Sequence, residues 1–230
     1  MVERVLITGI SGFVGSHLLD LLVGKGDVEL YGVIRKSSSV GRIRHHQSEI
    51  ELVTCDLVDE RGVTDVVDSI EPDRIYHLAG QSSVSDSWRR SGSLIDNNIV
   101  ATVNLLEALR RNGGNGVRIL IACSSEEYGL VPKNRLPVDE TTPLNPVSPY
   151  AVTKAAADMF GFQYYKSFDI DVVRTRSFNH TGPRRPATYA LSDFAKQIVS
   201  IEFGRAADQT IEVGNLSAIR DYSDVRDIVR

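Results

Sequence analysis

The chain has 230 residues, of which 42% are hydrophobic and 24% charged, and its formal net charge at pH 7 is −4. This composition is typical of a globular protein with one sizeable core, or one core and a small lobe. The negative charge offers no basic field for nucleic acid, and no apolar run approaches the length of a membrane span.

Short apolar runs alternate with amphipathic stretches along most of the chain. In chain order, the pattern predicts strands at residues 5–7, 30–34, 50–54, 74–78 and 117–122 and from residue 171, and helices at residues 13–23, 63–70, 98–110 and 149–165. This alternation predicts an α/β fold, a Rossmann-type doubly wound parallel sheet with helices on both faces. We expect this domain to cover residues 1–177 and a smaller, partial lobe to cover residues 178–230.

Two predicted helices have an apolar face. In the first we expect the buried face to be formed by Val14, Leu18, Leu21 and Leu22, and in the helix at 98–110 by Val103, Leu106 and Leu109. The N-terminal stretch MVERVLITG reads as a strand and lacks the regions of a signal peptide, so we expect a cytoplasmic protein.

The cysteines and histidines give no sign of a metal site. Cys55 and Cys123 lie in or beside apolar runs, so we expect both to be reduced core thiols. The histidines are His17, His45, His46, His77 and His180. Their spacing, with the cysteines or with one another, matches no metal-ligand pattern, and we predict no metal.

The loop after the first predicted strand contains Gly9, Gly12 and Gly15, spaced G-x-x-G-x-x-G. The first glycine permits a tight turn, the second lets the backbone approach a pyrophosphate, and the third lets the helix pack close to the strand. The helix that begins at Phe13 and Val14 offers unpaired N–H groups and the positive end of its dipole to phosphates. A glycine triplet alone also fits a turn without a ligand, but its place between a strand and a helix favours a dinucleotide.

The segment after the second strand bears on the choice of dinucleotide. It reads Ile34-Arg35-Lys36-Ser37 and lacks the carboxylate that usually binds the ribose 2′-hydroxyl of NAD. Arg35 can pair with a 2′-phosphate and Ser37 can add a hydroxyl, so we expect NADP, with NAD as the alternative. The other interpretation of this segment is a solvated loop.

Further candidate cofactor residues follow the third and fourth strands. Asp56, with Leu57 beside it, places a carboxylate where the exocyclic amine of adenine can be met. Leu78, Ala79 and Gly80 provide small residues and backbone close to the cofactor. Sheets of this kind bind their ligands at the carboxyl ends of the strands, where all of these residues are predicted to lie.

The fifth strand ends in Cys123-Ser124-Ser125-Glu126, and the next predicted helix begins in SPYAVTK. Tyr150 and Lys154 lie one helical turn apart, with Cβ atoms about 5–6 Å from each other. An ammonium group lowers the pKa of a neighbouring phenol, which can then exchange a proton with a carbinol oxygen. Ser124 can hydrogen-bond the same oxygen. The Tyr–Lys pair alone fits an ordinary helix start, but the glycine loop and Ser124 together favour catalysis.

Eight stretches, in order from residue 8 to the end, carry a family resemblance: TGISGFVGSHL, CDL, HLAG, NNIVATVNLLEA, SSEEYG, PYAVTK, RSFNHTGP and IRDYSDVRDIV. Together they resemble the extended short-chain dehydrogenases/reductases that act on nucleotide sugars, the NAD(P)-dependent epimerase/dehydratase family. The resemblance implies a catalytic triad of Ser124, Tyr150 and Lys154, in which Tyr150 and Lys154 also contact the cofactor and Lys154 holds the nicotinamide ribose.

The resemblance also implies contacts with a GDP-sugar. The candidates are Ser125, Glu126, Asn179, Arg185 and Arg220, of which Asn179 and Arg220 match residues that hold the diphosphate. A guanidinium such as that of Arg220 suits bidentate phosphate binding. The alternative for Arg220 is a surface ion pair with Asp221 or Asp224.

Within this family, SSEEYG, RSFNHTGP, LSDFAKQIVSIE and VGNLSAIRDYSDVRDIV are most similar to members that reduce GDP-4-dehydro-6-deoxy-D-mannose to GDP-D-rhamnose with NAD(P)H. We therefore expect a reductase. The alternative is the dehydration of GDP-mannose, suggested by RKSSS…GRI, Pro183-Arg184-Arg185 and Glu126; Phe13-Val14, Ser124 and Thr181-Gly182 depart from that pattern. Another nucleotide-sugar epimerase or dehydratase is a further alternative, and the last hypothesis is a non-catalytic module that binds a cofactor.

The role of Glu126 depends on this choice. A dehydratase needs a base to remove the C5 proton, whereas a reductase does not. The resemblance further implies a homodimer that pairs the helices at 98–110 and 149–165. Family members continue for about 80–100 residues more, so residues 178–230 would supply only part of the substrate lobe.

Overall fold

The computed structural model describes residues 2–82, 84–89, 91–114, 116–206 and 208–230, in two compact units, Met1–Ser177 and Phe178–Arg230. Its strands are β1 (Glu3–Thr8), β2 (Val28–Ile34), β3 (Glu51–Thr54), β4 (Arg74–His77), β5 (Arg118–Ala122), β6 (Asp171–Thr175), β7 (Asn179–Thr181) and β8 (Tyr222–Asp224). Its α-helices are α1 (Phe13–Lys25), α2 (Glu60–Ile70), α3 (Val84–Ser87), α4 (Ser91–Ile95), α5 (Ala101–Arg111), α6 (Pro149–Phe168), α7 (Ala190–Glu202) and α8 (Val225–Ile228).

The first unit is built on one parallel sheet with the strand order β3-β2-β1-β4-β5-β6. This order confirms the predicted doubly wound sheet, because the chain moves outward in one direction from β1 to β3 and in the other from β4 to β6. The direction reverses between β1 and β4, and a crevice at such a reversal is the usual ligand site of an open α/β sheet. Fully buried side chains such as Leu6, Ile75 and Ile119 from the strands and Leu105 and Leu106 from α5 form the core.

The buried face of α1 differs from the prediction. Leu18 and Leu22 are buried as expected, but Gly15 and Leu19 are buried in place of Val14 and Leu21, which remain partly exposed. The cause is the close approach at Gly15, where an added Cβ would lie 2.3 Å from the carbonyl oxygen of Gly9. The helix therefore turns the row that contains Gly15 toward the sheet.

The helix predicted at 98–110 begins differently. Residues Asp96–Val100 form a π-helical turn, and α5 starts only at Ala101. A π turn contains one residue more than an α turn, which rotates the residues that follow. As a result, Leu105 joins Leu106 and Leu109 on the buried face, whereas Val103 is only partly buried. Other strand and helix ends differ from the prediction by a few residues.

In the second unit, β7 pairs in parallel with β8, so that Asn179 lies opposite Tyr222. Gly182 follows β7 with a φ of 154°, and an added Cβ there would lie 2.7 Å from Val225. Within the described ranges of the chain, no helix combines the length and the apolar character that crossing a membrane requires.

Candidate functional site

A cleft of about 220 Å³ lies at the carboxyl ends of β1 to β4. The residues predicted for the cofactor that line it are Gly9, Gly12, Arg35, Asp56, Leu57, Leu78, Ala79 and Gly80. The other residues that line it were not predicted for the cofactor: Ser11, Val33, Ile34, Ser38, Cys55, Val58, Gln81, Asn97 and Ala101. The cleft thus collects residues from four separate loops at the point where the sheet reverses direction.

The glycine loop is shaped by close backbone contacts. Gly9 has a φ of 71°, and an added Cβ would lie 2.7 Å from the backbone nitrogen of Ala79. A side chain at this position would therefore push apart the loops that follow β1 and β4. The N–H of Gly12 donates to the carbonyl oxygen of Gly9 at 2.9 Å, and Gly12 caps the start of α1. Phe13 and Val14 form the first turn of α1, so their predicted role is to present backbone N–H groups to a phosphate.

The segment after β2 forms a tight turn in which the N–H of Ser38 donates to the carbonyl oxygen of Arg35 at 2.9 Å. This turn places Ser38 among the residues that line the cleft, and the proposed contact of Ser37 with a 2′-phosphate stays a prediction. The Ser38 hydroxyl accepts from the N–H of Arg35 at 3.0 Å, and the Arg35 guanidinium donates to the side-chain oxygen of Asn97 at 3.2 Å. Arg35 and Ser38 together place a cation and a hydroxyl at one end of the cleft.

Asp56 also stabilises its own loop. Its carboxylate accepts from the N–H of Val58 at 3.1 Å. The side chain of Asn104 donates to the carbonyl oxygens of Leu57 and Val58, which ties the loop after β3 to α5. The proposed contact of Asp56 with adenine therefore stays a prediction.

The predicted catalytic residues are almost completely buried. Ser124 is 7%, Tyr150 8% and Lys154 9% exposed. Ser148 caps α6 by accepting from the N–H of Ala151 at 3.1 Å, and Pro149 occupies the first turn, where its missing N–H costs no hydrogen bond. The helix therefore starts one residue before Tyr150, as the prediction requires.

The Lys154 ammonium connects α6 to the sheet and to the cleft. It donates to the carbonyl oxygen of Ala122, the last residue of β5, at 2.7 Å. An added Cβ on Gly80, which lines the cleft, would lie 3.4 Å from the same nitrogen. Burial lowers the pKa of Lys154 from its ordinary value, and the nearby Cys123 and Glu127 oppose this shift.

Two adjacent glutamates follow Ser124 and differ in their surroundings. Glu127 is fully buried; it accepts from the N–H of Ser124 at 2.7 Å and lies 3.7 Å from Nε of Arg176. Burial raises the pKa of Glu127 to about 7, although the Ser124 N–H and Arg176 act in the opposite direction. Glu126 is only partly buried, and its N–H donates to the Ser124 hydroxyl at 3.2 Å. Among the described residues, nothing forms a hydrogen bond or ion pair with the Glu126 carboxylate.

Asn98 was missed as a site residue, although it lies in the quoted stretch NNIVATVNLLEA. It is 1% exposed; its side chain accepts from the N–H of Gln81 at 2.8 Å and donates to the hydroxyl of Thr153 at 3.0 Å. It thereby joins the loop after β4 to the residue that precedes Lys154. The sequence shows an asparagine within a predicted helix, but a hydrophobic pattern does not reveal that its amide is buried.

A buried histidine lies beneath the cleft. His77 lies between the hydroxyl of Thr8 at 2.8 Å and that of Thr102 at 3.0 Å. Burial, with a smaller effect of Lys154, lowers the pKa of His77 to about 3, so its ring is neutral. Cys55 and Cys123 are buried free thiols, as predicted, and burial raises the pKa of both.

The remaining substrate candidates are spread over the two units. Ser125 lies beside Ser124, and its N–H donates to the carbonyl oxygen of Ser177. Asn179 begins β7. The Arg185 guanidinium lies 3.9 Å from the centre of the Tyr189 ring, and the exposed Arg220 donates to the carbonyl oxygen of Ile219. Their roles toward a substrate stay predictions.

The strand order, the glycine-lined cleft and the buried serine, tyrosine and lysine define a Rossmann-type protein of the extended short-chain dehydrogenase/reductase class. Comparison with known proteins gives the family within this class. A family model described as GDP-mannose 4,6 dehydratase matches residues 6–230, and the chain belongs to that family.

Individual relatives agree with this assignment. The chain is 35% identical over 238 residues to GDP-mannose 4,6-dehydratase of Yersinia enterocolitica, covering 99% of this chain and 63% of the relative. It is 34% identical over 235 residues to human GDP-mannose 4,6 dehydratase, covering 97% of this chain and 62% of the relative. The chain thus spans less than two thirds of the length of these relatives. Both carry the dehydratase name, and they do not support the expected reductase.

Solved structures confirm the fold. UDP-glucose 4-epimerase of Thermus thermophilus, solved with NAD, has a TM-score of 0.84 and 28% identity, covering 99% of this chain and 72% of that one. RMD from Pseudomonas aeruginosa, solved with NADPH, has a TM-score of 0.81 and 30% identity, covering 99% and 71%. These neighbours bind different nicotinamide dinucleotides.

Proposed function

We propose that this chain provides the cofactor cleft and catalytic centre of a GDP-mannose 4,6-dehydratase, which converts GDP-mannose to GDP-4-dehydro-6-deoxy-D-mannose and water. The observation that carries the proposal is the contrast between the two glutamates beside Ser124. Glu127 is fully buried, with one carboxylate oxygen bonded to the N–H of Ser124 and the other near Arg176, whereas no described residue bonds the partly exposed carboxylate of Glu126, which can take a proton from a substrate. Dehydration needs such a base, and reduction does not.

The cleft suits a nicotinamide dinucleotide, because Gly9 and Gly12 line it and present backbone without side chains where a pyrophosphate would approach. When bound, the nicotinamide would accept a hydride from C4 of the sugar and return it to C6. We propose NADP as the dinucleotide, since Arg35 and Ser38 line the cleft where NAD-binding proteins usually carry a carboxylate.

In the proposed mechanism, Tyr150 removes the proton of the C4 hydroxyl, and Ser124 hydrogen-bonds the same oxygen. Lys154 supplies the positive charge that favours the phenolate form of Tyr150. Once C4 is a ketone, Glu126 removes the acidified C5 proton and passes it to the C6 hydroxyl, which leaves as water. Tyr150 then gives C5 the proton that it took from the C4 hydroxyl, as the hydride is added to C6. The atoms balance, because the sugar loses one water and the hydride taken from C4 ends on C6.

A second candidate is the expected reduction of GDP-4-dehydro-6-deoxy-D-mannose to GDP-D-rhamnose. Two features of the chain favour it, namely the serine hydroxyl at Ser124 and the Phe13-Val14 pair in the first loop. In this reaction Tyr150 donates a proton to the C4 oxygen, NADPH is consumed, and Glu126 has no proton to remove.

Two assays on the purified protein distinguish the candidates. With GDP-mannose and a catalytic amount of NADP, a dehydratase forms the keto sugar without accumulating NADPH. With the keto sugar and NADPH, a reductase removes nicotinamide absorbance in proportion to product. Formation of GDP-D-rhamnose without any dehydration of GDP-mannose would contradict our proposal.

A variant makes the test sharper. Glu126→Gln should lower dehydration by about 10²–10⁴-fold, the usual contribution of a general base. Glu202→Gln, at the exposed end of α7, is the matched control and should keep full activity. If Glu126→Gln retained the dehydration rate of this control, Glu126 would not be the base.

We further propose a homodimer formed through α5 and α6. The support is a set of exposed apolar side chains on α6: Val152, Met159, Phe162, Tyr165 and Phe168. Sedimentation of the purified protein tests this, and a monomer at micromolar concentration would contradict it.

A further inference from the structure

We propose that Asp20, His45 and His46 form a binding site for a divalent transition-metal ion. Asp20 lies on α1, and the two histidines lie in the 3₁₀ turn Arg44–His46 between β2 and β3. No metal was expected from the sequence, because the spacing of the histidines along the chain matches no known pattern. The fold brings the third ligand from a helix that lies 25 residues earlier.

The three side chains already face one point. Nε2 of His45 lies 2.9 Å and Nε2 of His46 3.3 Å from the same oxygen, Oδ1 of Asp20. One ligand atom from each residue lies within 4.8 Å of the other two. Ligands bound at about 2.0–2.1 Å in a tetrahedral arrangement are separated from one another by about 3.4 Å. Small rotations of the side chains would therefore place all three around one ion.

The surroundings of His46 provide a second, independent observation. Its Nδ1 is buried and, among the described residues, has no hydrogen-bond partner. The same atom lies 3.8 Å from a carboxylate oxygen of Glu49. When Nε2 of His46 carries the proton that is donated to Asp20, Nδ1 carries none and stays buried without a hydrogen-bond partner.

Metal binding at Nε2 would reverse this arrangement. The proton would move to Nδ1 and point toward Glu49, which produces the carboxylate–histidine–metal relay that supports most histidine ligands. Glu49 suits this role because its carboxylate lies three residues along the chain from His46 and already faces Nδ1 at 3.8 Å. The buried Nδ1 would then have a partner.

The ligand set selects the kind of ion. Two imidazoles and one carboxylate favour Zn²⁺, Ni²⁺ or Cu²⁺ over Mg²⁺ or Ca²⁺, which prefer oxygen ligands. Water would complete the coordination of an ion at a partly exposed site. The ion would fasten the β2–β3 connection, which begins with Arg35 and Ser38, to α1. The site does not depend on the proposed reaction.

The test is a zinc titration of protein that carries no histidine tag and has been stripped with a chelator. We expect one Zn²⁺ per chain, measured against a chromophoric competitor in the presence of excess Mg²⁺, and a rise in Tm with Zn²⁺. The double variant His45→Gln/His46→Gln should bind at least about 100-fold more weakly, and Glu49→Gln about 10- to 100-fold more weakly. The matched control, His180→Gln in the second unit, should bind as wild type does.

Equal zinc affinity in the double variant and wild type would overturn the proposal, as would the absence of one-to-one binding to wild type. His45 is 52% exposed, so its replacement should leave the fold intact, which circular dichroism checks. If a variant unfolds, Co²⁺ bound to wild type decides the question. An intense visible spectrum of tetrahedral cobalt with nitrogen ligands supports the site, and an octahedral aqueous spectrum overturns it.

Discussion

The ammonium nitrogen of Lys154 lies 2.7 Å from the carbonyl oxygen of Ala122. Ala122 ends β5, and Ser124 follows two residues later. This bond therefore connects the strand that precedes Ser124 to the helix that carries Tyr150. The same nitrogen lies beside Gly80 at the cleft. One buried cation thus holds together the three segments that the proposed reaction needs.

Replacement of this cation should change both turnover and its pH dependence. Lys154→Met is expected to lower kcat by about 10²-fold or more, the effect usual for removing a catalytic group. The pH at half-maximal turnover should move upward, because a phenol without a neighbouring ammonium ionises at higher pH. Lys166→Met, in the exposed last turn of α6, is the control. An unchanged pH profile with lower kcat would mean that Lys154 positions the reacting groups without lowering the pKa of Tyr150.

The phenol of Tyr150 should be needed for the proton transfer itself. Tyr150→Phe is expected to lower turnover by about 10²–10⁴-fold with little change in cofactor affinity. Tyr165→Phe, on the exposed face of the same helix, should have no effect. Steady-state rates and a fluorescence titration with the dinucleotide measure the two quantities. Full activity in Tyr150→Phe would show that Tyr150 does not transfer the proton.

Arg35 should decide between the two dinucleotides. Arg35→Ser is expected to weaken NADP binding by about 10- to 100-fold, since a hydrogen bond to a charged group contributes about 1.5–3 kcal/mol. NAD binding should hardly change, and Lys36→Ser, at the exposed neighbouring position, should affect neither. Titration of all three proteins with both dinucleotides provides the measurement, and an equal loss for NAD and NADP would contradict a 2′-phosphate contact.

Two glycines of α1 should respond to alanine in opposite directions. At Gly15 an added Cβ would lie 2.3 Å from the backbone oxygen of Gly9, so Gly15→Ala should lower the free energy of unfolding by about 1–3 kcal/mol. At Gly24 no described atom lies within 4 Å of that position, and Gly24→Ala should raise the free energy by about 0.5–1 kcal/mol. Urea denaturation measures both changes. Equal effects at the two sites would argue against close packing at Gly15.

Glu127 should make stability depend on pH. Burial raises its pKa in the folded protein to about 7, so its contribution is fully present below the unfolded pKa of 4.5 and is lost as the pH rises through 7. Glu127→Gln stays uncharged and keeps an oxygen for the N–H of Ser124. From pH 5 to pH 8 wild type should therefore lose stability relative to the variant, by at most about 1.4 kcal/mol per pH unit. Parallel stability curves over this range would show that Glu127 remains ionised.

The fold and most of the cleft were predictable because they depend on local patterns. Alternating apolar runs record which face of each segment is buried, and Gly9 and Gly12 mark the place where backbone must come close. The π turn before α5 was not predictable in this way. It turns Asn98 inward, where the amide meets Gln81 and Thr153, and those partners come from other segments of the chain.

The sequence by itself determined the doubly wound sheet, the glycine loop and the positions of Ser124, Tyr150 and Lys154 along the chain, because each follows from spacing over a few residues. Only the tertiary structure decided which of two neighbouring residues of the same type lies in the cleft or in the core. Glu126 and Glu127 are the same residue type side by side. They differ because packing buries Glu127, which accepts from the N–H of Ser124 and lies near Arg176, whereas Glu126 stays partly exposed. Ser38 lines the cleft because of one turn after β2, and Asp20 meets His45 and His46 only after α1 packs beside the β2–β3 connection. Such contacts depend on packing between distant segments, which periodicity along the chain does not record.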